Sequence, residues 1–478
     1  MRRLAAVSAL CCVLLCLGGR KPARADHVVL RAAGPVGLGY VGLLYGLVDP
    51  ADGSWYLGAD LFGSPSRAWV AIGDTGASAS ILGMTTQESY AAWDGVGIPL
   101  EDYPEVKFTD VGFGGTVDFA VTKPVDVMMA DFKTAFESGD PENPGLYGLY
   151  GPYTGPASPA TRMAAALEPI GGGVLGIDFD IIGMTNMQGR VLHVDPHYLE
   201  MLRLSLFVMA GSLQRPLPPP TDPRALYVPV TLEPFFEDPQ AVDVGEHPML
   251  PIHIRRAASD PFATATAIFD TGSPANFVSE SFAVAAGIDV ESTPEMTLPI
   301  TGVGGTQTEA PGWFVDALAL DLGHGREGDQ LAIGNTAVFI IPDEAMPGDL
   351  DAILGNSMFS PSMWMEDTPV VEWYVDMRYS QDAAIIVVLP ATPGDANFDG
   401  AVDGGDYTIW ADHYLQPGCW GEGDFNEDGF IDGGDYTIWS DNYVGGGSAV
   451  PEPAAVTLLA LAAAALLRRR GRGARRRA

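Results

Sequence analysis

The chain has 478 residues, 47% of them apolar, and no uninterrupted apolar run reaches the 18 residues of an ordinary membrane helix, which excludes a polytopic membrane protein. Its length suggests about three domains, and 58 glycines with 38 prolines make it turn-rich without the bias of a disordered chain. The formal net charge is −35, and residues 26–450 alone hold 14 basic against 60 acidic residues, a net of −46; such a body repels phosphate backbones, so nucleic-acid binding is excluded.

Residues 1–25 have the order of a secretory signal peptide, to be removed by signal peptidase. Arg2 and Arg3 precede an apolar stretch at 4–17, and Ala23-Arg24-Ala25 is a small-x-small cleavage site. Leu15 is bulky where a lipoprotein signal places a small residue. Cys11, Cys12 and Cys16 leave with the leader, so Cys419 alone remains and no internal disulfide can form. Residues 26–60 are a candidate pro-region with no clear signal of their own.

From 26 to about 390 the chain repeats itself distantly. Ala71-Ile72-Gly73-Asp74-Thr75-Gly76-Ala77-Ser78 is answered 196 residues later by Ala267-Ile268-Phe269-Asp270-Thr271-Gly272-Ser273-Pro274. Each copy follows a short β-prone run, as a strand entering a turn does. A glycine-rich hairpin candidate follows each: Gly112-Phe113-Gly114-Gly115-Thr116, then Gly302-Val303-Gly304-Gly305-Thr306. Farther on come Val174-Leu175-Gly176 and Ile353-Leu354-Gly355. A lone Asp-Thr-Gly recurs by chance, whereas three motifs in one order in both halves do not. His193 and His197 are separated by Pro196, which argues against a zinc pair on one helical face. The body holds neither a cysteine nucleophile nor a Gly-x-Ser-x-Gly elbow.

On these motifs, residues 60–380 resemble the pepsin and retropepsin superfamily of aspartic peptidases. The resemblance implies a mainly β, bilobal fold, with an N-terminal lobe at 26–211 and a C-terminal lobe at 227–390. The proline-rich segment within 212–226 would connect them. It also implies that Asp74 and Asp270 are the catalytic pair, sharing one proton and activating a water against a peptide carbonyl. Thr75, Gly76, Thr271, Gly272 and Ser273 would support the two turns. Gly112, Phe113, Gly114 and Gly115, with Gly302, Val303, Gly304 and Gly305, would form flaps over an extended protein or peptide substrate. This chemistry needs no cofactor. Gly73 departs from the family, which has an apolar residue before the aspartate.

Between 393 and 444 a second repeat has an offset of 29. Asp395, Asn397, Asp399, Asp403 and Asp406 occupy loop positions 1, 3, 5, 9 and 12, and Asp424, Asn426, Asp428, Asp432 and Asp435 match them. Ala401 and Phe430, at position 7, lend backbone carbonyls, and Gly400 and Gly429 permit the sharp turn. This is the oxygen-ligand spacing of a twelve-residue Ca2+ loop, with one Ca2+ in each copy. The pair resembles a type I dockerin, a small α-helical double-loop module. The resemblance implies helices from near Asp406 and Asp435 and a cohesin-like scaffold partner, although Gly404-Gly405 and Gly433-Gly434 replace the family's recognition residues. Cys419 reads as a spare thiol.

Residues 450–478 begin with Pro451-Glu452-Pro453, continue through an apolar stretch at 454–467 and end with seven arginines. They resemble the PEP-CTERM sorting signal, which implies transient membrane association, trimming by an exosortase and display on the surface or in the matrix of a Gram-negative-type bacterium. The whole reads as an exported, tethered aspartic endopeptidase. The alternative is a non-catalytic surface or matrix-binding protein of the same fold, with calcium-dependent attachment.

Overall fold

The run from Leu226 to Leu232 alternates in side-chain character with the period of a pleated strand. In the computed structural model it lies within the strand Leu226–Pro234, where buried residues alternate with more exposed ones. Thr336–Ile341 is buried throughout, as a strand covered on both faces is. The structure describes residues 27–444 except 35, 38, 60–64, 68, 113–114, 131–153, 170–178, 198–207, 214–222, 237–238, 302–306, 324–327, 349, 363–367 and 381–382. The leader, the sorting-type tail, most of the connector and Val174-Leu175-Gly176 therefore lie outside the described residues. The chain divides into two compact units, which meet in sequence at Pro390 and Ala391.

The first unit is mainly β and is built from two similar halves. In the first half the strand Trp69–Gly73 is flanked by the antiparallel strand Tyr40–Val48 and the parallel strand Asp180–Ile182. In the second half Ala263–Asp270 has the same neighbours, antiparallel Glu246–Arg255 and parallel Ala352–Gly355. Each half adds a hairpin: Phe108–Gly112 with Gly115–Val121, and Met296–Thr301 with Gln307–Val315. Five antiparallel strands join the halves. Val208–Ser212 and Val191–Asp195 come from the first half, followed by Val370–Ser380, Ala383–Pro390 and Leu226–Pro234. The fully buried Trp373 and Val375 sit in this shared layer.

The halves also exchange segments. His27–Arg31 pairs in parallel with Gln330–Gly334, and the Gly37 N–H donates to the Pro274 carbonyl at 2.7 Å. In the other direction, the Gly245 N–H donates to the Ser78 carbonyl at 2.9 Å, and Val242 packs with Ala77, Ala79 and Ile81. This corrects the candidate pro-region at 26–60: Val41, Leu43, Tyr45 and Leu47 are central core residues. Removing that segment would strip the strand beside Asp74.

The apolar-glycine motif of the first half also lies elsewhere than expected. Ile181 and Ile182 pair with Ile72 and Gly73, just as Ile353 and Leu354 pair with Ile268 and Phe269. The counterpart of Ile353-Leu354-Gly355 is thus Ile181-Ile182-Gly183, seven residues after the run chosen from sequence. The reason is steric. A β-carbon on Gly183 would collide with the carbonyls of Ala77 and Ala79, and one on Gly355 with those of Ser273 and Ala275.

In the second unit each acidic loop leads into one ten-residue helix, Gly404–His413 and Gly433–Asn442. These begin two residues earlier than expected, because Asp403 and Asp432 are the N-caps and accept from the Gly405 and Gly434 amides. The loops are interlocked by indoles: Trp410 Nε1 donates to the Asp432 carbonyl at 3.0 Å, and Trp439 Nε1 to the Asp403 carbonyl at 2.9 Å. Cys419 is a free cysteine, as expected. Its N–H and thiol both face Glu422 Oε2, closing the turn Trp420–Glu422.

Candidate active site

The two Asp-Thr-Gly turns meet at the junction of the halves. Each aspartate leaves the end of its strand and folds back on its own loop. Asp74 Oδ1 accepts from the Gly76 and Ala77 amides at 2.8 and 3.1 Å, and Asp270 Oδ1 from the Gly272 amide at 2.8 Å. The two carboxyls also hydrogen-bond to each other. The glycines are required by this proximity: a β-carbon on Gly76 would strike the Asp270 carboxyl, and one on Gly272 the Asp74 carboxyl.

Thr75 and Thr271 lock the turns together and are fully buried. The Thr75 N–H donates to Thr271 Oγ1 and the Thr271 N–H to Thr75 Oγ1, both at 3.0 Å. Each hydroxyl then donates across the junction, Thr75 to the Phe269 carbonyl at 2.5 Å and Thr271 to the Gly73 carbonyl at 2.6 Å. Valine at position 75 keeps the shape but orphans the Thr271 N–H and a carbonyl bond. At about 1–3 kcal/mol for each buried orphan, Thr75→Val should lower the stability of the first unit by about 2–6 kcal/mol in urea denaturation, whereas Thr75→Ser should retain most of it. Gly73 is accommodated because the Leu43 side chain fills the space a β-carbon would need.

Both carboxyls are raised above their ordinary value, first by burial. For Asp74 the rise is large: the Asp270 charge and the shared hydrogen bond add to it, opposed by the Gly76 and Ala77 amides. Asp270 rises too, moderated by its bond to Asp74 and by the Gly272, Ser273 and Gly76 amides. Both residues nevertheless keep part of their surface open. Two carboxyls held so close disfavour ionising together, because like charges repel in a buried site.

Three further residues join the site without a motif to announce them. The Tyr40 phenol is pushed up by burial and then by the charges of Asp74 and Asp270, so it stays a neutral hydroxyl beside the pair. Asn356 Nδ2 donates to the Thr271 carbonyl at 3.0 Å and to the Gly39 carbonyl at 3.1 Å; adjacency to Gly355 was its only sequence signal. Buried His247 contacts the Thr75 carbonyl, 172 residues away in the chain. At the expected flaps, Gly112 and Gly115 pair across their hairpin. Phe113, Gly114, Gly302, Val303, Gly304 and Gly305 lie outside the described residues.

The acidic loops of the second unit bring their own carboxylates inward. Asp406 accepts from the Ala396 and Asp403 amides at 2.9 and 2.8 Å, and Asp395 Oδ2 from the Gly400 amide at 2.9 Å. Asp395 Oδ1 is buried and has no hydrogen-bond partner among the described residues. Asp395 is pushed up to about 6, chiefly by burial. In the second loop Asp424 Oδ2 accepts from Gly429 and Asp435 from Asn426 and Asp432. Among the described residues no three His, Cys, Asp or Glu side chains converge as a ready-made metal cluster. Asn397, Asn426 and the carbonyls of Ala401 and Phe430 are oxygen donors beyond such a set.

No protein-family model matches the chain, and no curated protein matches it. Among solved structures, the crystal structure of aspartic proteinase from Irpex lacteus is similar: it is 12% identical, with 72% of this chain and 97% of that chain covered and a TM-score of 0.36.

Proposed function

We propose that the chain is an aspartic endopeptidase. The observation that carries this reading is the pair of hydrogen-bonded, raised carboxyls at Asp74 and Asp270, braced reciprocally by Thr75 and Thr271. In the reaction, the ionised member of the pair takes a proton from a water between them, and the water oxygen attacks the peptide carbonyl carbon. The protonated member hydrogen-bonds to the carbonyl oxygen as its charge develops. The tetrahedral intermediate then collapses as the amide nitrogen receives a proton and the C–N bond breaks, leaving an acid, an amine and the pair with its single proton. The hairpin Phe108–Val121 would lie over an extended substrate strand.

The second unit serves in this reading as a Ca2+-dependent attachment module. The buried, unpartnered Asp395 Oδ1 fits a hard cation, which an anionic oxygen without a donor favours. Asp395, Asn397, Asp399, Asp403, Asp406 and the Ala401 carbonyl would hold one ion; Asp424, Asn426, Asp428, Asp432, Asp435 and the Phe430 carbonyl would hold the other. Bound calcium would neutralise crowded carboxylates and order the loops. Export, sorting and a cohesin-like scaffold complete the proposal. The test is cleavage of an unfolded protein by the purified chain between about pH 3 and 7, with fragments mapped by mass. Internal cleavage supports the endopeptidase, and intact substrate across that range with folded protein favours the binding protein.

A further inference from the structure

We propose that His247 is a positioning residue that holds the Asp74 turn in working geometry only while its imidazole is neutral. The inference rests on the peptidase reading for its catalytic consequence, but its structural core is independent of that reading.

His247 is the second residue of the strand Glu246–Arg255 of the second half yet reaches the first-half turn. Its Nδ1 lies 3.0 Å from the Thr75 carbonyl and its Nε2 lies 2.7 Å from Ser78 Oγ. A carbonyl only accepts, so Nδ1 carries the proton. In the neutral ring Nε2 then accepts from the Ser78 hydroxyl. One ring thus spans the aspartate loop, tying residues one and four positions past Asp74. It is 1% exposed, Ser78 is 4% exposed, and the Phe235 ring stands edge-on at 5.3 Å.

Strand register shows why this is a device of one half only. Gly42 pairs with Ile72 as Met249 pairs with Ile268, so His247 and Tyr40 occupy corresponding positions. The Thr271 carbonyl, the counterpart of the Thr75 carbonyl, is instead held by the Asn356 amide, which does not titrate in this range. Pro274 replaces Ser78 and offers no hydroxyl. The two turns therefore carry equivalent bonds from different chemistries, and only the Asp74 side is sensitive to acid.

Protonating His247 places a charge in a buried site without a carboxylate to meet it, and deprives the Ser78 hydroxyl of its acceptor. The nearby acids are turned elsewhere: Glu246 accepts from Gln188 Nε2 at 3.0 Å, Asp243 accepts from the Arg162 amide at 2.8 Å, and Glu233, cross-strand from His247, accepts from Thr231 at 3.4 Å. Burial accordingly lowers the imidazole from its ordinary 6.5, opposed by the bond to the Thr75 carbonyl. With a lowered folded-state value, this contribution to stability is complete above 6.5 and is lost as pH falls toward that lowered value.

The experiment compares the full chain with His247→Gln, His247→Asn and Ser78→Ala in two measurements. The first is the melting temperature of the first unit from pH 4 to 7.5. The amide variants keep a donor and an acceptor but cannot be charged, so their melting temperature relative to wild type should rise steadily as pH falls below 6.5. A difference that is flat with pH overturns the proposal whether or not the chain is a peptidase. The second is cleavage: the acid limb of wild-type kcat should move to lower pH in an amide variant with KM unchanged, while Ser78→Ala should lower kcat at every pH. An unmoved acid limb overturns the catalytic consequence. Wild-type inactivity at every pH, with the melting difference present, overturns the peptidase reading and leaves the loop-holding role standing.

Discussion

Asparagine at position 74 or 270 is expected to abolish peptide-bond cleavage while raising the melting temperature of the first unit at pH 7. The loss should be about a thousandfold or more, since a positioned acid–base group contributes up to about four orders of magnitude and neither half of the pair can do the other's work. An amide at position 74 still fills the space over Gly272, so the turn should survive the change. The stability gain follows from the raised carboxyls. Their folded-state values lie above the unfolded 3.8, so their contribution to stability is fully present below 3.8 and is lost as pH rises through the folded-state values. Each asparagine variant lacks one raised carboxyl and with it that loss of stability at pH 7. The gap in melting temperature should therefore close toward pH 4. Cleavage retained in both folded variants would sink the dyad mechanism, and melting temperatures equal to wild type across that range would sink the electrostatic account.

Removing calcium is the second large effect. Chelation should unfold the unit that begins at Ala391 and leave the unit ending at Pro390 folded and its cleavage rate unchanged. A site filled to a hundred times its Kd stabilises by about 2.7 kcal/mol, and two such sites contribute about 5 kcal/mol, comparable with the whole stability of a small module. The readout is fluorescence and near-ultraviolet circular dichroism from Trp410, Trp420 and Trp439, all of which pack within this unit; Trp410 and Trp439 donate across to the opposite loop. Because each indole spans both repeats, Asp395→Ala alone should disturb both helices, and Asp395→Ala with Asp424→Ala should remove the calcium response. A calcium titration that leaves these signals unmoved, or moves them equally in the double variant, would rule the loops out as ion sites.

Legibility followed the range of the interactions. The Asp-Thr-Gly turns, the acidic loops and their glycines are each encoded within a dozen residues. There a tight turn, a short β-prone run or alternating oxygen ligands dictate residue type directly. The helices start two residues before the expected positions for an equally local reason: Asp403 and Asp432 occupy ligand positions, and an aspartate before Gly-Gly-Asp is also a good N-cap. The apolar-glycine motif failed differently. Val174-Leu175-Gly176 and Ile181-Ile182-Gly183 are almost the same pattern, and the choice between them depends on which glycine backs onto Ala77 and Ala79. No local pattern carries that information.

By itself, then, the amino-acid order determined a two-fold repeated β body with a paired aspartate motif, followed by a twice-repeated acidic loop, because strand period and turn chemistry are short-range constraints. Only the tertiary structure decided that residues from Tyr40 to Val48 are core rather than removable, that Thr75 and Thr271 exchange hydrogen bonds across 196 positions, and that His247 and Asn356 hold the two turns by different means. Those outcomes follow from burial. Once the halves close, every enclosed donor and acceptor must find a partner from whichever strand passes within about 3 Å, and that choice is made in space, with no periodicity along the chain to reveal it.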